Sequence, residues 1–225
     1  SLNMNIAHPD AGSQLVNICS MLLLVTTFAI VAQRRLSACV DLFALQSVFL
    51  GITAALVAFL TGIYHIYVAA LLTILIKAII IPLILRRVIE RLNVKRELVF
   101  NINIPASLLI CGALVILAFS VTQPIISLGF LLTKDSLAIA LSIILIGFFT
   151  MISRRKAVTQ VVGFLVVENG IFLGATAAAY GMPLIVELGV FFDVLVAALI
   201  IGIFTHRLQD TFDSVDVSKL TGMKE

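Results

Sequence analysis

The chain has 225 residues, of which 61% are hydrophobic and only 12% are charged, and its mean hydropathy is +1.19. Soluble domains average about half apolar and about a quarter charged residues, so this composition excludes a water-soluble globule and predicts a polytopic membrane protein. The formal net charge of +3 comes from Lys and Arg in short runs between apolar segments. Such runs are typical of topology signals, and they give no indication of a nucleic-acid-binding surface.

Seven apolar runs are long enough to cross a bilayer as helices, which takes about 17 to 25 residues. The runs are continuous rather than alternating, so an all-α fold is predicted and β-strands are excluded. Pro105 and Pro183 fall where a first helical turn tolerates a missing N–H, and Pro124 follows the fourth run. The broken segment 124–135 is predicted to be an interfacial loop or an extension of the fifth span. The predicted spans are about 15–33, 38–60, 64–85, 104–123, 136–152, 157–180 and 183–206.

The distribution of Lys and Arg predicts an amino terminus outside and a carboxyl terminus in the cytoplasm, because basic residues collect on the inner face of a membrane. With this orientation, thirteen of the fifteen basic residues lie on the inner face, and the exceptions are Lys77 and Lys134. Lys134 lies outside. Lys77 lies within the third span, which makes it a candidate functional residue.

A weak internal repeat indicates a duplicated three-helix unit. The stretches "QRRL" (33–36) and "SRRK" (153–156) each end a span. Each is followed by a helix that contains "FLGITAA" (49–55) or "FLGATAA" (172–178), which are identical at six of seven positions. Apolar helices made of few residue types also match by chance, and the two copies differ by three residues between the arginine pair and the motif.

When the two copies are aligned on "FLGITAA" and "FLGATAA", Leu45 and Gln46 take the places of Glu168 and Asn169. The carboxylate then belongs to one copy only. The predicted organisation is a single membrane domain, 1–225, with a first three-helix unit at 14–97, a linking helix and outer loop at 98–134, a second unit at 135–207 and a cytoplasmic tail at 208–225.

Four ionisable side chains fall inside the predicted spans and away from their basic flanks: Lys77, Glu168, Glu187 and Asp193. Glu187 lies near the outer face, where water is close. At about 1.5 Å of rise per residue, the other three lie about 14 to 18 Å from the nearest marker of a membrane face, and therefore near the midplane. Each charge at a helix centre costs roughly 2.5 to 3.5 kcal/mol, or about 8 to 10 kcal/mol for the three.

Because this cost is large, we expect these side chains either to pair with one another or to become neutral. Desolvation brings the pKa of carboxylates and amines towards neutrality, and a group that titrates there is what a proton relay needs. Lys77, Glu168, Asp193 and Glu187 are therefore the predicted proton-transfer residues. The structural alternative is an ion pair at Lys77 and protonated, hydrogen-bonded acids that hold helices together. Asn169 and Gln46 are predicted as supporting polar residues, favoured as interhelical hydrogen-bond partners over relay members.

Pro82 follows Lys77 in "LIKAIIIPLIL". Its missing N–H leaves the carbonyl of Ala78 without its helical partner. The sequence therefore predicts a bend beside Lys77, and an exposed carbonyl there would favour the entry of water.

Metal and redox centres are not expected within this chain. The three cysteines, Cys19, Cys39 and Cys111, are widely scattered and form no CxxC pair, which argues against iron–sulfur, zinc and disulfide sites. His65 and His206 lie at opposite ends of apolar segments, so they do not form a haem-binding pair.

The last three spans resemble the K subunit of respiratory complex I in "SRRKAVTQVVGFLVVENG", in a following helix with a midplane acid, and in the tail "HRLQDTFDSVDVSKL". Over residues 14–225, "LIKAIIIPLIL", "VVENGIFL" and "VELGVFFDVLVAALI" look like the hydrogenase-4 component E family. The resemblance implies a non-catalytic membrane subunit of a complex I-related [NiFe] hydrogenase of the formate hydrogenlyase type, in the bacterial cytoplasmic membrane. It also implies that the nickel–iron centre and iron–sulfur clusters lie in soluble partner subunits, with a membrane anchor subunit and antiporter-like membrane subunits as further partners.

By this resemblance Glu168 and Asp193 take the places of the two buried acids of the K subunit. Both depart from its pattern: the first acid of the K subunit corresponds to Leu165 here, and the second acid is Asp rather than Glu. Two alternatives stay open, namely a small subunit of a multisubunit Na⁺/H⁺ antiporter and a non-pumping scaffold that anchors the soluble arm. A stand-alone transporter is disfavoured, because the two halves show no matched substrate site interrupted by Gly or Pro.

Overall fold

Long apolar sequences form helices in lipid because only a helix satisfies its backbone hydrogen bonds within one segment. The structure is a computed structural model that describes residues 11–91, 102–126, 134–155 and 157–178, together with the single residues Ala198 and Gly202. Every regular element in these ranges is helical, which confirms the all-α fold. The elements are α1 (Ala11–Ala32), α2 (Leu36–Thr61), α3 (Tyr64–Thr73), a π-helical segment (Ile74–Ile80), α4 (Ile81–Arg91), α5 (Ile104–Ile126), α6 (Lys134–Ser153) and α7 (Ala157–Ala178).

Six helical segments in the described ranges are long and apolar enough to cross a membrane, so the chain is a multi-pass membrane protein. The third is continuous through α3, the π-helical segment and α4. The six match the first six predicted spans, and the largest difference is at the third, which continues past residue 85 to Arg91. Apart from Ala198 and Gly202, the predicted seventh span, 183–206, lies outside the described residues and stays a prediction, as does the orientation of the termini.

The boundaries of α5 and α6 correct the prediction for the segment 124–135. Pro105 lies in the first turn of α5, as predicted, but α5 continues through Pro124 to residue 126, and α6 begins at Lys134. The loop prediction is therefore wrong at its two ends, and at Lys134 and Asp135 the alternative, an extension of the fifth span, is confirmed. Residues 127–133 lie outside the described residues. Pro124 is tolerated because it lies in the last turn of α5, where its missing N–H removes one hydrogen bond at the end of the ladder.

Two helical hairpins form the centre of the described part of the chain. Helices α1 and α2 make one hairpin and α6 and α7 the other, with α1 packed against α6 and α2 against α7. The π-helical segment, α3 and α4 pack on α2, while α5 packs on α6 and α1. The outer surface is apolar: on α5, Leu109 is 78% exposed and Ile116 is 70% exposed, which suits a surface in contact with lipid.

Helices α6 and α7 approach each other at a pair of glycines. A Cβ added at Gly147 would lie 2.9 Å from the backbone nitrogen of Val167 and 3.0 Å from the carbonyl oxygen of Gly163. A Cβ added at Gly163 would lie 3.1 Å from the carbonyl oxygen of Gly147. Gly147 therefore leaves no room for a side chain, and at Gly163 a Cβ would force the neighbouring atoms of α6, including the Cγ of Met151 at 2.8 Å, to move. Such small residues are common where membrane helices pack closely.

Arg154, at the end of α6, joins the two hairpins at the predicted inner face. It is buried, and its guanidinium donates a hydrogen bond to the carbonyl of Val31 in the last turn of α1. The last carbonyls of a helix lack partners within the helix, and a cation also suits the negative end of the helix dipole. Burial lowers the pKa of Arg154, but an arginine remains charged at any physiological pH. Its side chain therefore caps α1.

The predicted duplication is compatible with this arrangement but is not tested by it. Two hairpins side by side are what a duplication would produce, and Gln46 and Asn169, which share a position in the predicted register, form a hydrogen bond with each other. Apart from Ala198 and Gly202, the third helix of the second unit lies outside the described residues. The duplication and its boundaries stay predictions.

Candidate charged site within the membrane spans

Lys77 lies in the π-helical segment, in the middle of the third span. The N–H of Ile81 donates to the carbonyl of Ile76, five residues earlier, instead of four as in an α-helix. This wider turn comes directly before Pro82, which has no N–H to continue the α-helical ladder. The distortion predicted at Pro82 is thus a change of helical hydrogen-bond pattern over Ile74–Ile80. The side chain of Lys77 is only 2% exposed, and it reaches towards α7.

Glu168 lies at the centre of α7, about 16 Å from its first residue at a rise of about 1.5 Å per residue. It is 7% exposed. The Nζ of Lys77 lies 3.5 Å from the Oε1 of Glu168, so the two form an ion pair between the third and sixth spans. The sequence alone left open whether Lys77 would meet Glu168 or Asp193, and the structure joins it to Glu168. Glu187 and Asp193 lie outside the described residues.

The Lys77–Glu168 pair is close enough to offset most of the cost of burying two charges. At 3.5 Å and an effective dielectric constant of about 20, the Coulomb attraction of two unit charges is about 5 kcal/mol. Placing two charges at helix centres costs roughly 5 to 7 kcal/mol in total. The pair therefore permits both groups to remain charged inside the membrane at little net cost.

Asn169 extends the pair towards α2. Its Oδ1 accepts a hydrogen bond from the Nζ of Lys77 at 3.2 Å, and its Nδ2 donates to the Oε1 of Gln46 at 3.0 Å. Gln46 in turn donates through Nε2 to the Oγ1 of Thr27 at 2.7 Å and to the carbonyl of Leu23 at 3.3 Å. The central side chains, Lys77, Asn169, Gln46 and Thr27, are all buried. One polar network thus connects α1, α2, the π-helical segment and α7.

Two members of this network were missed by the sequence reasoning, Thr27 and Ser47. The Oγ of Ser47 lies 3.4 Å from the Nδ2 of Asn169 and also donates to the carbonyl of Phe43 at 2.9 Å. Hydroxyl groups in apolar helices usually bond to a carbonyl of their own helix, so their presence in the sequence carries little signal. For Ser47, its place directly after Gln46 was the one available indication.

A second ion pair lies at the predicted inner end of the molecule and differs in character. The Nε of Arg86 donates to the Oδ1 of Asp41 at 3.1 Å, which connects α4 to α2. About half of each side chain is exposed. Exposed pairs contribute about 0 to 1 kcal/mol, so this contact orients α4 rather than forming part of the buried site.

Two groups of relatives match almost the whole chain. It is 34% identical over 218 residues to the uncharacterized protein Rv0085 of Mycobacterium tuberculosis, covering 95% of this chain and 97% of that protein. It is 25% identical over 219 residues to hydrogenase-4 component E of Escherichia coli and of Shigella flexneri, covering 95% of this chain and 99% of those proteins. The chain belongs to the hydrogenase-4 component E family. No family model and no solved structure matches it.

Membership of the hydrogenase-4 component E family confirms the resemblance found in "LIKAIIIPLIL" and "VVENGIFL", which contain Lys77 and Glu168. The further resemblance of the last three spans to the K subunit of complex I stays a prediction. In this member of the family, the two motifs meet in space through the ion pair of Lys77 and Glu168.

Proposed function

We propose that this chain is a membrane subunit of a hydrogenase complex and that Lys77 and Glu168 transfer protons within its membrane part. Similarity over 95% of the chain to a protein named hydrogenase-4 component E supports the first statement. The observation that carries the second is the buried ion pair itself. An intramembrane ionisable pair is costly to maintain and commonly belongs to an ion or proton path.

The proposed chemistry is an exchange between two states of the pair. In one, Lys77 is an ammonium and Glu168 a carboxylate; in the other, a proton has moved from Nζ to a carboxylate oxygen and both groups are neutral. The 3.5 Å separation of Nζ and Oε1 exceeds the roughly 2.6 to 3.2 Å over which a proton is transferred directly. Transfer therefore requires the two atoms to approach by a few tenths of an ångström, or a bridging water.

Coupling to the hydrogenase would act through the relative stability of these two states. Two titratable groups this close exchange protons as a unit, so a charge change in a neighbouring subunit shifts both together. Asp193, which takes the place of the second buried acid by the resemblance to the K subunit, and Glu187, the other acid of the predicted seventh span, are the proposed next stations on the path. The nickel–iron centre and iron–sulfur clusters would be held by soluble partner subunits, next to antiporter-like membrane subunits and an anchor subunit.

Complex formation is tested by purification through a tag on this chain in a mild detergent, followed by mass spectrometry of the proteins recovered. We expect a [NiFe] hydrogenase large subunit together with antiporter-like membrane subunits. Recovery of antiporter subunits without a hydrogenase would overturn the hydrogenase proposal in favour of a Na⁺/H⁺ antiporter. Recovery of this chain alone would overturn both and return attention to a stand-alone transporter.

A further inference from the structure

The amide group of Gln46 has one orientation that its surroundings permit. Its Nε2 lies 3.3 Å from the carbonyl oxygen of Leu23, and a carbonyl can only accept a hydrogen bond. Its other neighbour is the hydroxyl of Thr27, which already donates its proton to the Leu23 carbonyl at 2.8 Å and so accepts from Gln46. A flipped amide would place Oε1 against the Leu23 carbonyl oxygen, so that two acceptors faced each other, and the Thr27 hydroxyl would have to give up its bond to that carbonyl in order to donate to Oε1. Nε2 must therefore face α1, and Oε1 must face Asn169.

The orientation of Gln46 determines that of Asn169. Because Oε1 of Gln46 accepts, the group of Asn169 that faces it at 3.0 Å must be the donor Nδ2. The opposite end of the Asn169 amide, Oδ1, then faces the Nζ of Lys77, which carries only donors when it is charged. Every link from Lys77 through Asn169 and Gln46 to the Leu23 carbonyl runs from donor to acceptor in the same direction.

From this chain of contacts we infer that Gln46 is a positioning residue: it holds Asn169 with its carbonyl oxygen towards Lys77, and so gives Lys77 an acceptor that does not change with the protonation of Glu168. The inference rests on the proposed proton-transfer role of Lys77 and Glu168. Among the described residues, the charged group paired with Lys77 is Glu168 of α7, while α2 contributes the neutral Gln46 and Ser47, which contact Asn169. A neutral acceptor keeps the lysine in place when Glu168 takes up a proton.

Removing Gln46 should therefore change the pH dependence of proton transfer rather than only its rate. In Gln46→Leu, the Nδ2 of Asn169 keeps only the longer contact to Ser47, at 3.4 Å, so its amide is free to turn away from Lys77. The charged form of Lys77 then loses a fixed acceptor. The alkaline limb of the pH profile should move to lower pH by about one unit, which corresponds to the loss of one hydrogen bond to a charged group.

The experiment uses the intact complex in sealed membrane vesicles, with an excess of an electron donor whose reduction potential lies below that of the H⁺/H2 couple at every pH used. Proton uptake per H2 evolved, beyond the two protons that H2 formation itself consumes, is recorded from pH 6 to pH 10 for wild type, Gln46→Leu, Thr27→Val and Lys77→Met. Thr27→Val removes the hydroxyl acceptor of Gln46 and should shift the alkaline limb in the same direction by less. Thr150→Val is the matched control, because the buried hydroxyl of Thr150 donates to the Ile146 carbonyl of its own helix.

The lysine variant distinguishes the positioning role of Gln46 from the proposed proton transfer by Lys77 and Glu168. Lys77→Met should abolish coupled proton uptake, and adding Gln46→Leu to it should change nothing further. If Lys77→Met abolishes uptake while Gln46→Leu and Thr27→Val keep the wild-type pH profile, the positioning role is overturned and the proposed function stands. If Lys77→Met takes up protons as wild type does, the proposed function fails and the inference with it. If Gln46→Leu does not assemble, Thr27→Val decides the question.

Discussion

Removing the charges of Lys77 and Glu168 separately and together should reveal how strongly the membrane part of the protein depends on their pairing. Glu168→Gln keeps the size of the side chain but leaves the buried ammonium without its carboxylate. Lys77→Met keeps the length of the lysine stem and leaves a carboxyl group, which can become neutral by binding a proton. We therefore expect Glu168→Gln to be the more destabilising of the two single variants.

The size of the effect follows from the 3.5 Å separation of Nζ and Oε1. The Coulomb attraction is about 5 kcal/mol at an effective dielectric constant of about 20, and removing one partner of a buried pair typically costs about 3 to 5 kcal/mol. The double variant removes both charges and leaves no charge buried. It should therefore be more stable than the sum of the single losses predicts, by about 3 kcal/mol.

The assay is the temperature at which half of the detergent-purified complex has dissociated, measured for wild type, both single variants and the double variant. Wild type should have the highest dissociation temperature. Lys77→Met and the double variant should follow with similar values, and Glu168→Gln should have the lowest. Glu90→Gln is the matched control, because Glu90 is exposed on α4. Additive losses in the double variant would show that the two side chains do not interact, and would refute the ion pair.

Helix packing and helix ends lead to three further expectations. Gly163→Ala should lower the melting temperature, because the added methyl group meets atoms of α6. Gly112→Ala is the control, because Gly112 has open space around it, and equal effects of the two variants would count against the close α6–α7 contact. Arg154→Leu should cost about 1 to 3 kcal/mol and speed amide hydrogen exchange in the last turn of α1; unchanged exchange there would rule out the cap. Asp41→Asn should change stability by less than about 1 kcal/mol, because its ion pair is half exposed; a loss as large as that of Glu168→Gln would contradict this.

The spans could be predicted from the sequence because a bilayer imposes length and apolarity on each segment separately. No knowledge of neighbouring helices is needed for that, and the first six predicted spans agree with the structure. The depth of Lys77 and Glu168 followed from the same reasoning, since depth depends only on the count of residues from the span ends. The error at Pro124 arose because a proline in the last helical turn disturbs little, so it does not mark the end of the helix.

The contacts of the charged site could not be predicted, because they depend on how each helix is rotated about its axis and on which helices are neighbours. Lys77 and Glu168 are far apart in the chain, and the sequence offered Asp193 as an equally good partner. The π-helical segment is a further example. Pro82 indicated a disturbed helix, but the choice between a kink and a wider turn depends on how the segment packs against α2.

The most direct test of the central claim, that Lys77 and Glu168 carry protons, is the number of protons that the intact complex in sealed vesicles takes up per H2 evolved, beyond the two that H2 formation consumes. The comparison is between wild type, Glu168→Gln, the charge-free double variant Lys77→Met/Glu168→Gln, and the control Glu90→Gln. The account predicts that the double variant assembles and evolves H2 but has lost coupled proton uptake, while the control behaves as wild type. A wild-type ratio in the double variant would contradict the account and leave the buried pair a structural element of a non-pumping scaffold.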